Sequence, residues 1–266
     1  MIVEGSVLTE KNAGGLSRNV LKLIAITTIV IGHFFLYTFT TFRAFGLGVP
    51  WVGIVCMVCF VGPPIFFFFI SEGFRYTGSK RKYALRLFIF SLITQVCHAV
   101  TVKDGLAFDL HGFFFSWNVV FVLFLGFIDL CILESKWHIA LKILGVLATL
   151  VLSFLLQAEW FVTRQLIIIS LYYLRKHNFI KFFVSMVLFY LTFVFAECGP
   201  ETGFSATFWS KQYFYYLSFG IIGFVLVCFF YKGRNGKKSK IIQYAFYILY
   251  PLHLILIDLA VLIFGK

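Results

Sequence analysis

Two histidines inside apolar runs are the residues of this chain best suited to chemistry. His33 sits in Ala25-Ile26-Thr27-Thr28-Ile29-Val30-Ile31-Gly32-His33-Phe34-Phe35-Leu36, a stretch apolar enough to span a membrane. An ionisable group in hydrocarbon is costly unless it lines a cavity or has a partner, so it marks a functional site unless it merely hydrogen-bonds a neighbouring helix for packing. An uncharged imidazole is the form that general-base catalysis needs. His253 lies in Tyr247-Ile248-Leu249-Tyr250-Pro251-Leu252-His253, where Tyr247, Tyr250 and His253 share one helix face and Pro251 interrupts the backbone ladder. These two histidines converge only if the first and last helices pack together.

A second constellation is Ser71-Glu72-Gly73-Phe74-Arg75-Tyr76-Thr77, followed by Lys80, Arg81 and Lys82. Glu72 and Arg75 are spaced i, i+3 and either lock the helix end against each other or belong to a site. In the functional reading Arg75, Lys80, Arg81, Lys82 and Lys22 hold phosphates, for which a guanidinium fork and lysine point charges are the usual partners. Gln95, His98, Asn118, Glu159, Arg164 and Gln165 fall from mid-depth outward, with the last three at the outer mouth of a span. Asn118 either orients an acceptor or bonds across helices as packing glue. Asp129 and Asp258 sit nearer span ends, within reach of the interface. Cys56 and Cys59 have redox or metal spacing, but no second pair accompanies them, and small core residues are the better reading. No metal is expected.

The elements that must position these groups are membrane helices. With 61% hydrophobic and 13% charged residues, the 266-residue chain has the bilayer as its solvent. Apolar runs predict an all-α, polytopic transmembrane bundle of about nine spans, near 20–42, 49–71, 83–102, 113–133, 138–157, 160–175, 178–197, 213–231 and 241–264. The sixth is the shortest. Gly62-Pro63-Pro64 predicts a break in the second span. Residues 1–19 form a polar tail and 20–264 one transmembrane domain, with no cleavable signal pattern.

The net charge of +12 does not imply nucleic acid, because the basic residues sit in short clusters between spans. Arg75, Lys80, Arg81, Lys82 and Arg86 crowd the second loop, Lys136 and Lys142 the fourth, Arg175, Lys176 and Lys181 the sixth, and Lys232, Arg234, Lys237, Lys238 and Lys240 the eighth. The odd loops hold Asp104, Asp109, Glu197 and Glu201. The positive-inside rule then puts the even loops and the N-terminus in the cytoplasm and the C-terminus outside. Membrane lipids are accordingly one partner.

Leu21-Lys22-Leu23-Ile24-Ala25 with His33, then Pro64-Ile65-Phe66, Glu72-Gly73-Phe74-Arg75-Tyr76-Thr77, Tyr83, Arg86-Leu87, Asn118 and Tyr250-Pro251-Leu252-His253-Leu254 together resemble the TraX family. The resemblance covers most of the chain in order and is densest in its first half. It implies a multi-pass acetyltransferase of the bacterial inner (plasma) membrane, drawing on cytoplasmic acetyl-CoA as donor. In that picture His33 and His253 match the family's first-span and last-span histidines, and Arg75 the arginine of its motif. Two departures stand out. The acidic residue before the first-span histidine is Gly32 here, and the acidic residue late in the third span is Gln95.

Together these readings point to acetyl transfer to a hydroxyl or amine on a peptide, glycan or lipid. His33 takes the acceptor's proton, Arg75 serves the donor, and Asn118 and Tyr250 are the choices for the oxyanion. Glu72 or Glu159 would supply the missing carboxylate. The alternatives are a proton-coupled transporter or flippase with midplane histidines, and a catalytically silent relative. Against the transporter, the two halves show no convincing self-similarity.

Overall fold

The structure, a computed structural model, describes residues 15–37, 54–101, 107–159, 162–197, 211–233 and 240–264. Most of the 1–19 tail, Asp104, Cys198, Glu201, Arg234, Lys237 and Lys238 lie outside the described residues. The described residues are all-α apart from a two-stranded pairing, Val100–Thr101 with Ala107–Phe108, and an isolated bridge between Leu16 and Tyr231. Helix α1 is Arg18–Tyr37 and α2 is Gly62–Tyr76, entered through a 3-10 turn at Val58–Val61. Then come α3 Lys80–Ala99, the short α4 Leu110–Phe115, α5 Val119–Leu133, α6 Ile139–Leu155 and α7 Thr163–Tyr173. Three more complete the described chain: α8 Asn178–Glu197, α9 Lys211–Val225 with a π-helical end at Leu226–Phe230, and α10 Lys240–Phe264. Each of the nine expected spans overlaps a described helix, and the fourth overlaps two.

Arg18–Phe35, Ile54–Tyr76 and Leu110–Leu133 are long and apolar enough to cross a membrane. The expected break at Gly62-Pro63-Pro64 is the junction between the 3-10 turn and α2, with proline in the first helical turn, where its missing N–H costs nothing. The seventh span and the last coincide with α8 and α10 almost to the residue. Span four differs. It is split at Ser116–Asn118, because Asp109 caps α4 through Gly112 N and the Asn118 side chain caps α5 through Val120 N and Phe121 N.

Helix α2 is the hub. Phe67, Ile70 and Phe74 interlock with Phe127 of α5, Ile168 and Leu171 of α7, Phe189 of α8 and Phe224 of α9. A second core joins Leu21 and Ala25 of α1 to Ile65 and Phe69 of α2 and Val227 of α9. Helix α10 packs on α1 and α3. By contrast α6 touches chiefly α5, and Leu141, Leu144, Leu147, Val151 and Phe154 on it are exposed. Such a surface suits lipid and not water.

Candidate functional site

The two histidines meet. His33 Nδ1 of α1 lies 3.0 Å from His253 Nε2 of α10, with the rings stacked 5.3 Å apart and 10° from parallel. The other nitrogen of His253, Nδ1, faces the backbone carbonyl of Tyr250. A carbonyl only accepts, so His253 Nδ1 carries a hydrogen and Nε2 of a neutral ring accepts. His33 Nδ1 therefore donates, and the lone pair of a neutral His33 falls on Nε2, the atom a general base uses. Aromatic contacts hold this face of α10: Tyr250 meets Phe66 of α2 and Phe90 of α3, and Tyr247 meets Phe90 at 5.0 Å. His253 is buried and His33 half-buried.

Glu159 and His98, the latter from the last turn of α3, lie near His33. Arg164 is 3.7 Å from Glu159, with its guanidinium over the Phe67 ring. Arg164 and Gln165 stand in the first turn of α7, at the end of the sixth span expected to face outward, and both are buried, at 2% and 0% exposure. Helix α7 has 11 residues. That is about 16 Å of helix against roughly 30 Å of hydrocarbon.

Of the two roles open to Asn118, the structure shows the bonds across helices, and Gln95 shares them. Gln95 Nε2 donates to the carbonyls of Gly112, Phe113 and Ser116, while its Oε1 accepts from Asn118 N and Nδ2. The second Asn118 Nδ2 hydrogen goes to Ser91 O. Every donor and acceptor of this buried pair is spent on tying α3 to the α4–α5 junction, so neither orients an acceptor. An ionised carboxylate at position 95 could not donate to those carbonyls. Gly32, the other departure, is a contact point: a Cβ there would lie 2.5 Å from both Cys59 N and Cys59 Cβ. No side chain of any kind fits where α1 crosses the 3-10 turn. Cys56 and Cys59 are themselves buried free thiols in that crossing. Asp129, expected to reach the interface, is instead fully buried and bonded by the Thr149 hydroxyl of α6.

At the opposite end of α1, Glu72 pairs with Arg18 at 3.0 Å and accepts a 2.7 Å hydrogen bond from the Tyr231 hydroxyl. The expected Glu72–Arg75 lock does not form. Arg75 is exposed beside Tyr76, Lys80 sits 3.9 Å over the Phe74 ring, and Lys22 rides over Phe69. The basic run is divided: Glu72 and Arg75 border a cavity of about 220 Å³ shared with α7 and α8, whereas Lys82 lines a separate groove with Thr77 and Arg86. Arg81 is exposed.

Fold and site define an all-α membrane protein with a histidine pair joining its first and last helices. A family model described as TraX protein matches residues 17–261, and the chain belongs to the TraX family. It is also similar to a "Probable fimbrial assembly protein FimC, serogroup H1" of Dichelobacter nodosus, 29% identical over 203 residues, covering 73% of this chain and 77% of that protein. No solved structure matches it.

Proposed function

We propose that this protein is a multi-pass membrane acetyltransferase that moves an acetyl group from cytoplasmic acetyl-CoA to a hydroxyl or amine presented in or across the membrane. The observation that carries the reading is the Tyr250 carbonyl–His253–His33 chain, whose hydrogen-bond directions put the basic lone pair of a neutral His33 on Nε2. In the reaction His33 Nε2 takes the acceptor's proton as its oxygen or nitrogen attacks the thioester carbonyl. The tetrahedral oxyanion then collapses, expelling the coenzyme thiolate, and the proton returns from His33 to sulfur. His253 stabilises the transient imidazolium by accepting its Nδ1 hydrogen. Arg164 supplies positive potential for the oxyanion, reinforced by the N-terminal end of α7, a role first expected of Asn118 or Tyr250. Glu159 stands as the carboxylate that Gly32 and Gln95 lack.

The bundle end that carries Arg18, Arg75 and Arg175 faces the cytoplasm under the positive-inside rule, so the anionic donor meets cations first. Membership of a family with a fimbrial assembly relative favours a peptide or surface acceptor. The test incubates purified protein with radiolabelled acetyl-CoA and a membrane or peptide acceptor pool. His33-dependent label transfer supports the reading, and equal transfer by His33→Ala removes it. A hydrogen-bonded histidine pair also suits a proton relay. Proton-driven flux in liposomes without coenzyme A would favour the transporter instead.

A further inference from the structure

The cavity at the basic end is lined by cations that the chain does not neutralise. Arg75 from α2, Arg175 from the α7–α8 turn and Lys181 from α8 all border it. Lys181 is buried to 4% exposure, yet the partner of its ammonium is a neutral one, Asn178 Oδ1 at 3.2 Å. Arg175 donates to the Tyr172 carbonyl, also neutral. The carboxylate of the lining, Glu72, is already held by Arg18 and Tyr231. Among the described residues neither ion pair includes Arg75, Arg175 or Lys181. Burying an ammonium without a counter-charge is costly, and a bound anion removes that cost.

We infer that this pocket is a binding site for phosphate esters, with Arg175 and Lys181 as ligands alongside Arg75. Two guanidinium forks and an ammonium around about 220 Å³ match a phosphate or diphosphate in chemistry and size. Of the Lys80–Lys82 run, which the sequence favours, no residue borders this cavity, and Lys82 lines a separate groove. Resting on the acetyltransferase reading, the ligand is the nucleotide diphosphate of the donor coenzyme. Arg18 ties the pocket floor to α1, and His33 lies about 22 Å further along the same helix, the distance its thioester arm would cover.

The experiment titrates coenzyme A, inorganic pyrophosphate and, in separate nanodiscs, phosphatidylglycerol against phosphatidylcholine, using the full chain. Arg175→Ala and Lys181→Met each weaken coenzyme A binding about tenfold, as loss of a charge-assisted contact should. Lys181→Arg retains binding, and Lys80→Ala/Arg81→Ala/Lys82→Ala changes it by less than about twofold. Size-exclusion profiles and thermal unfolding exclude misfolded variants, and Arg175→Lys serves where Arg175→Ala does not fold. Unchanged coenzyme A affinity in folded Arg175→Ala and Lys181→Met overturns the assignment, even if His33-dependent transfer persists. Pyrophosphate and phosphatidylglycerol binding with the same residue dependence, but no coenzyme A binding, keeps the phosphate site and overturns the acetyl-donor reading.

Discussion

Two buried polar clusters sit in the same bundle and behave oppositely. Gln95 and Asn118 form a closed set in which each donor meets an acceptor inside the protein. The Tyr250 carbonyl, His253 and His33 form a series of imidazoles in which a neutral His33 carries its lone pair on Nε2. Amides stabilise and do not titrate near neutrality, whereas imidazoles take and release a proton. Buried polarity by itself is therefore a poor guide to a site. What distinguishes the two is whether the groups that share the hydrogen bonds titrate.

The sharpest way to break this contrast is His33→Ala, for which acetyl transfer should fall by about 10²- to 10⁴-fold while thermal unfolding in detergent stays close to wild type. Arg164→Gln tests the oxyanion assignment: kcat should fall by about 10²-fold with KM for acetyl-CoA little changed. For the closed cluster the effects invert. Gln95→Glu should destabilise by about 2–4 kcal/mol, read from detergent unfolding, because the carbonyls of Gly112, Phe113 and Ser116 lose a donor, and the activity of the folded fraction should be retained. Restoring the family's other acid with Gly32→Asp should not raise activity, and should cost about 1–3 kcal/mol or more, since the clash is with Cys59 backbone that cannot step aside. The smallest effect belongs to Tyr231→Phe, which removes one hydrogen bond to Glu72 for about 1 kcal/mol of stability. Gain of activity by Gly32→Asp, or loss of turnover in folded Gln95→Glu, would erase the distinction.

The helices were legible because hydropathy is a local property. Asn178–Glu197 and Lys240–Phe264 follow directly from runs of apolar residues between charged loops, and the turn before α2 follows from Gly62-Pro63-Pro64. The split of the fourth span has local signals in the caps Asp109 and Asn118, but the carbonyls it frees are taken by Gln95, seventeen or more residues away in sequence. The histidines were singled out from their apolar surroundings alone, whereas the sequence placed Arg164 at the outer end of its span and could not show that its side chain turns inward over Phe67.

By itself the sequence determined how much of the chain is helical, which segments seek lipid, and that His33 and His253 need partners at depth. Tertiary structure alone decided who those partners are. Glu72 pairs with Arg18 from another helix and not with Arg75 one turn away, because the faces that α1, α2 and α9 present to one another bring those groups within bonding distance. The same close packing of α1 on the 3-10 turn leaves position 32 no room for a carboxylate. Spacing along a helix tells which residues share a face, and only the packing of helices tells what that face meets.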